Sequence, residues 1–527
     1  MERKFLLAFA LSFLILIGYP YIVAKIYGPP SKHVLVEPQP NEKKEVTSPV
    51  VLSPSTPDRT SASLLHFETK ALQLAIHPNS GSIGEVDLKK YKDQDGNATK
   101  LAKVEGVSNY IWDVWFEKPT QSSVSYEKGE QTDHILKFKA VSDGGLVIEK
   151  EIEQISEYAF KLTLRFTNPT GNTQSVYYNL VAASGIQAQE ERFFDATVFS
   201  QGKKRKFHLK NISKQPLSIE GKPQWVSLRE KYFAIALKPK PKTTLSGYSL
   251  TSTEDKKSMT IRVWSTPQSL PPGGVITDEF ACYMGPTRFQ DLKILGSWTD
   301  GVMDYGWFTG ITKLLLWALI QIQNIVKNYG VAIILLTVIV SVILLPLTGI
   351  SYKSLKKMKL IQPEANKIRQ LYKDKPQKMN KELMALYKTH KVNPAGGCLP
   401  VLVQMPIFIA FYQALIRSVE LKGASFLFVK DLSMPDRAIP LPFRLGPLGD
   451  AVNILPLLMM AATYFQQKIA TPEAPPGPEG ESQKMMSTLM PFVFGFIFYG
   501  LPSGLVLYWL TNNLIMIAYQ KLIFSKQ

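Results

Sequence analysis

The chain has 527 residues, 45% of them hydrophobic, two cysteines and a formal net charge of +18. That length supports more than one domain, and two cysteines exclude a disulfide-stapled scaffold. The apolar residues gather into long runs, as in a membrane protein with a soluble part, and the basic excess sits beside those runs, where orientation and anionic lipid account for it ahead of nucleic acid.

Met1-Glu2-Arg3-Lys4 precedes an apolar run from Phe5 to Ala24. A run of about 20 residues exceeds the 7–15 of a cleavable signal core, so residues 1–27 are expected to form an uncleaved anchor helix with its basic end inside. Seven prolines among Ser, Thr, Glu and Lys then mark residues 28–63 as a disordered linker.

Over residues 64–290 the apolar period falls to two, as in Phe160, Leu162, Leu164 and Phe166 alternating with Lys161, Thr163 and Arg165. Asn79-Ser80-Gly81, Asp143-Gly144-Gly145 and Pro271-Pro272-Gly273-Gly274 punctuate the strands. An antiparallel β sandwich is expected. His66, His77, His134 and His208 show no metal-ligand spacing, and no nucleophile motif, phosphate loop or carboxylate pair stands out, so no cofactor and no enzymatic activity are expected. Trp112, Trp115 and Trp225 would suit a glycan platform if exposed, and a sandwich core if not.

Residues 301–327 mix apolar residues with Lys313, Gln321, Gln323 and Asn324, and read as an amphipathic helix lying at the membrane surface. Residues 330–527 then hold five spans: Gly330 to Thr348, Cys398 to Ile416, Ala451 to Phe465, Met485 to Leu501, and Gly504 to Phe524. Lys353 to Lys391 carries twelve Lys or Arg against Glu364, Asp374 and Glu382, which places it on the cytoplasmic side. With the anchor the count is six spans, both termini inside and the β-domain outside. An impermeant thiol reagent is then expected to reach Cys282 from outside but not Cys398. Asp374-Lys375-Pro376 divides the insert into a helical hairpin over residues 352–392, with Lys353, Lys356, Lys357, Lys359, Lys367 and Arg369 available for docking and for anionic lipid.

Thr337, Ser341, Gln404, Tyr508, Thr511, Asn512 and Asn513 fall inside the apolar spans, where an unsatisfied polar group costs several kcal/mol. They are expected to face one another as interhelical hydrogen bonds or, together with Trp509, to line a hydrated recess.

Asn393-Pro394-Ala395-Gly396-Gly397-Cys398-Leu399-Pro400, Gln404-Met405-Pro406-Ile407-Phe408, Pro502-Ser503-Gly504-Leu505-Val506-Leu507-Tyr508 and Met303-Asp304-Tyr305-Gly306-Trp307-Phe308 resemble the signature of the YidC family, the bacterial branch of a membrane-insertase family shared with mitochondria and chloroplasts. The resemblance covers essentially the whole chain. It implies a polytopic α-helical membrane protein whose five-helix core encloses a hydrophilic groove, and a periplasmic all-β supersandwich similar to the sugar mutarotases without their chemistry. It also implies nascent membrane proteins as substrates and the Sec translocon, the ribosome or the signal recognition particle receptor as partners. Ser341 departs from the pattern, since the family's groove arginine would stand there. The competing functions are a solute transporter or channel and a purely structural assembly chaperone. Against the transporter stand the lack of an internal repeat and of an intramembrane carboxylate in the core.

Overall fold

The computed structural model describes residues 63–92, 96–104, 109–116, 124–293, 296, 302–303, 308–390, 392, 399–443, 449–470 and 478–525. The expected anchor, all but the last residue of the linker, and the motif residues 304–307 and 393–398, with Cys398, lie outside them. The chain divides into two compact units, Met1–Val302 and Met303–Gln527.

In the first unit the period-two runs become strands. Phe160, Leu162, Leu164 and Phe166 are all buried, while Lys161 and Thr163 are half-buried and Arg165 is exposed. The Asp143-Gly144-Gly145 and Pro271–Gly274 turns each place a glycine, Gly145 and Gly273, at φ 78° and 71°, a left-handed backbone that side chains resist. A nine-stranded antiparallel sheet runs from Lys203–His208 at one edge through Asp195–Ser200, Pro223–Arg229, Phe233–Pro239, Val275–Pro286, Ala159–Thr167, Val147–Gln154 and Ile135–Val141 to Glu127–Gln131. A five-stranded sheet, in the order Leu217–Glu220, Leu245–Ser252, Met259–Ser265, Tyr178–Ala183, Val114–Phe116, packs against its middle strands. Strand Phe233–Pro239 therefore buries both faces, Ala234 and Ala236 as well as Ile235 and Leu237. Trp112 and Trp225 are buried and Trp115 is half-buried beneath Arg262, so these rings serve the core and form no exposed sugar platform. Cys282 is fully buried, and burial pushes its thiol well above the ordinary range. It cannot report sidedness to an impermeant reagent, which corrects the cysteine expectation above.

Several charged residues lie inside this domain, among them Asp195, Arg229 and Lys150. Asp195 and Arg229 face each other across paired strands, the Arg229 Nη2 donating to Asp195 Oδ2 at 2.5 Å, with Lys206 Nζ 3.6 Å from the same oxygen and Thr197 Oγ1 donating to Oδ1. Arg229 Nη1 also donates to the Val302 carbonyl at 2.9 Å. Burial alone would raise the Asp195 carboxyl, but Arg229, Lys206 and the Thr197 hydroxyl together hold it below its ordinary value. Lys150, fully buried, donates to the carbonyls of Trp112 at 2.6 Å and Ser80 at 3.1 Å.

The second unit is helical: α1 (Thr309–Val326), α2 (Tyr329–Leu371), α3 (Pro376–Thr389), α4 (Leu399–Arg417), α5 (Ile454–Ala470), α6 (Pro478–Tyr499) and α7 (Ser503–Ser525). Among the described residues, Thr309–Val326 and Tyr329–Pro346 are long and apolar enough to cross a membrane by length and composition. Helix α2 has 43 residues, about 65 Å at 1.5 Å per residue, so it continues without a break from the first core span into the lysine-rich insert. Its chain then reverses at Tyr372–Lys375 and returns as α3, whose first residue is Pro376, the last residue of the expected break. Helix α1 turns into α2 over two residues, Lys327 at φ 56° and Asn328, whose side chain accepts the Val331 N–H as an N-cap. The core is apolar: Ile333, Leu336, Phe411, Leu415, Met459 and Val506 belong to one buried cluster. Helix α6 lies along α5, and its Phe494 and Phe498 rings pack against Trp509 on α7.

Candidate functional site: a polar seam along the last helix

Side chains three, four or seven residues apart share a helical face. On α7 those spacings relate Tyr508 to Asn512 and Asn513 to Gln520, inside an otherwise apolar helix. Each of the four bonds a different position on its neighbours. Gln404 Nε2 on α4 donates to the Tyr508 hydroxyl at 2.7 Å, and Phe411 stacks on the Tyr508 ring. Ser341 Oγ on α2 donates to Asn512 Oδ1 at 3.3 Å. Asn513 Nδ2 donates to Thr463 Oγ1 on α5 at 2.8 Å, and Gln520 Nε2 to the Tyr352 hydroxyl on α2 at 2.6 Å. Helix α7 is thus the common partner of α2, α4 and α5.

The expected site residues divide accordingly. Gln404 meets Tyr508 and Ser341 meets Asn512, whereas Asn513 meets Thr463, a residue outside the expected set. Thr337 is fully buried and turns its hydroxyl back onto the Ile333 carbonyl of its own helix at 2.6 Å; Thr511 does the same to Leu507. Trp509 stands in an aromatic cage of Phe408, Phe494 and Phe498, and its buried indole N–H has no acceptor among the described residues. Three members of the seam, Thr463, Tyr352 and Gln520, escape the sequence reading. Thr463 and Gln520 satisfy the same criterion, a polar residue inside an apolar run, whereas Tyr352 was assigned to the insert because the span was expected to end before it.

All four bonds join uncharged groups. Such bonds inside a membrane are worth about 0.6 kcal/mol each, so the seam as a whole adds about 2–3 kcal/mol and can exchange partners at little cost. Chemically it offers amides and hydroxyls to a polar visitor, and the buried Gln520 Oε1 is left without a partner among the described residues.

The insert's basic residues also separate. Lys356 Nζ donates to the Ile523 carbonyl at 3.3 Å and Lys359 Nζ to the Ile469 carbonyl at 2.6 Å, carbonyls in the last turns of α7 and α5. Those carbonyls lack intrahelical partners, and a cation there also complements the helix dipole. Lys353, Lys357 and Lys367 are exposed, and Arg369 donates to Asn366 within its own helix. Lys359→Met is expected to cost about 0.3–1 kcal/mol and to speed amide exchange through the last turn of α5, whereas Lys367→Met leaves that exchange unchanged.

With this geometry in view, comparison with known proteins decides the family. The family described as "60Kd inner membrane protein" matches residues 321–527, and the "YidC periplasmic domain" matches residues 64–318. A membrane protein insertase YidC from Pelobacter propionicus is 32% identical over 99% of this chain and 98% of its own. The chain belongs to the YidC family of membrane protein insertases. The Geobacter metallireducens insertase is 31% identical over 99% of this chain and 98% of its own, and that of Haemophilus influenzae 34% identical over 84% and 76%. Membership makes the chain an inner-membrane protein with a periplasmic β-domain and a helical membrane unit, and makes insertion of membrane proteins its function at the level of the family.

Proposed function

We propose that the protein moves substrate transmembrane segments from the cytoplasm into the inner membrane through a hydrophilic groove centred on α7, alone or with the Sec translocon, and without nucleotide or cofactor chemistry. The observation that carries this reading is the seam: polar side chains of one helix, each paired weakly with a different neighbour inside an apolar cluster. A substrate helix gains about 25 cal/mol per Å² of apolar surface on leaving water for lipid, but its polar flank has to pass the hydrocarbon. Seam groups that release one another and bond the flank shorten that passage, lowering the barrier without altering the end states. The Trp509 N–H, unpartnered among the described residues, adds a donor for a passing carbonyl. The membrane potential contributes about 2.3 kcal/mol per charge per 100 mV, favouring outward movement of acidic flanks.

In this reading the termini and the α2–α3 hairpin are cytoplasmic, α1 lies at the outer surface, and residues 330–527 supply five of six spans. The exposed Lys353, Lys357 and Lys367 face anionic lipid and the ribosome or the signal recognition particle receptor. Photoreactive residues at positions 337, 341, 404, 509 and 513 are expected to crosslink to ribosome-bound nascent chains. Crosslinks confined to Leu335, Ile339 and Ile343, exposed positions of α2, would instead mean that substrates slide along the outside of the core.

A further inference from the structure

After α4, residues 418–443 form a loop stitched to the helix ends. Asn328 Nδ2 donates to the Ser425 carbonyl at 3.3 Å, the Gly504 N–H to the Leu432 carbonyl at 2.9 Å, and the Leu455 N–H at the start of α5 to Asp436 Oδ2 at 2.6 Å. Leu421, Val429 and Leu432 are buried in the core cluster, and Phe426 packs over Gly330, where any side chain would collide with its ring. From this fixed base Phe426 and Val429 exchange both backbone hydrogen bonds, at 2.9 Å each, leaving Leu427 and Phe428 as the two-residue tip of a tight turn. Leu427 takes φ 51°, a left-handed backbone that a bulky residue resists. The strained tip holds its apolar side chains outward, Leu427 83% and Phe428 43% exposed.

We propose that the Leu427–Phe428 turn is a wedge that enters the outer leaflet of the lipid bilayer. The occupant is lipid because the turn continues an apolar surface that a membrane must cover. It adjoins the junction of α1 and α2, where Ile325 is 81% exposed, and the exposed Val331, Leu335 and Val338 continue down α2. Ile439 and Phe443 add exposed apolar area in the same loop, and Lys430 follows the turn, exposed, where a headgroup phosphate would meet it. Aqueous exposure would leave this surface uncovered, and it is formed from a backbone held against its own preference. The leaflet rests on the orientation given under Proposed function; the insertion of the tip does not.

The test uses the full-length protein with Cys282 and Cys398 replaced by serine, in vesicles of phosphatidylethanolamine and phosphatidylglycerol. A nitrobenzoxadiazole probe on Phe428→Cys is expected to show blue-shifted emission, quenching by doxyl-labelled lipid and loss of iodide quenching, relative to the same probe on Asp255→Cys in an exposed β-turn. Leu427→Gly, which relieves the backbone while removing half the tip, keeps the fold and reduces the doxyl quenching at 428. Iodide access at 428 equal to that at 255 overturns the wedge. Shielding from iodide without doxyl quenching overturns it in favour of a covering protein. Asp450→Cys, ahead of α5, reports orientation independently: labelling by an impermeant maleimide from the outer face supports the leaflet assignment, and labelling only from the inner face overturns it whatever the probe at 428 shows.

Discussion

Arg229→Ala is expected to destabilise the β-domain by about 3–5 kcal/mol, the cost of leaving a buried carboxylate without its partner. Asp195 is 3% exposed, and Lys206 at 3.6 Å is too far to replace the 2.5 Å contact that Arg229 makes. Urea unfolding of the full-length protein, followed through the buried Trp112 and Trp225, would show the β-domain transition moving to lower denaturant. The double replacement Asp195→Leu with Arg229→Met should recover much of the loss, because it removes both charges together. The same pair sets an acid limit. The Asp195 carboxyl is held below its ordinary value of about 3.9, so its stabilisation is present above that pH and is lost as the pH falls through the lowered folded value. Acid unfolding of the wild-type domain should therefore steepen below about pH 4, and the Leu/Met double variant should lack that component.

Ser341→Arg is expected to increase insertion of a substrate with an acidic flank several-fold while leaving a neutral-flanked substrate unchanged. Ser341 is 2% exposed and bonded only weakly to Asn512, at 3.3 Å. An arginine there displaces that bond and meets water only if the seam parts toward the cytoplasm. A cation about 4 Å from a carboxylate gains roughly 1 kcal/mol in water and about 4 kcal/mol at a protein surface, enough to hold a passing flank. A dry seam gives the opposite result: burying an unpaired arginine mid-span costs about 2.5–3.5 kcal/mol or more, and the variant would fail to accumulate in the membrane. Quantitative blotting of membranes beside the insertion assay separates the two.

The parts of the architecture governed by local rules were legible in the chain. Period-two burial in Ala159–Thr167 and the helix start at Pro376 are set by residues within a few positions of each other. Helix α2 escaped at its middle. A change from apolar to basic composition after Thr348 reads as the end of a span, yet Lys, Leu, Met and Gln are all good helix formers, and the helix continues through both Pro346 and Pro363. Buried charges escaped as well, since Lys150 in Val147–Gln154 and Asp195 in Asp195–Ser200 occupy inward positions that a hydrophobic pattern assigns to apolar residues. For the seam, the polar members within spans were visible, but not their partners. Ser341 and Asn512 are 171 residues apart, Gln404 and Tyr508 104, and Tyr352 and Gln520 168, and only packing of the helices decides which polar group meets which.

The unbroken run of α2 has a mechanical consequence. A helix that serves first as a wall of the seam, through Ser341 and Tyr352, and then as one arm of the hairpin couples movement at its two ends, except where Pro346 and Pro363 interrupt its hydrogen bonding. If parting from α7 tilts it by about ten degrees, its length of about 65 Å carries the far end roughly 10 Å sideways. The helix is then a lever: a substrate that opens the seam swings the basic arm, and a partner that seizes the arm pries at the seam.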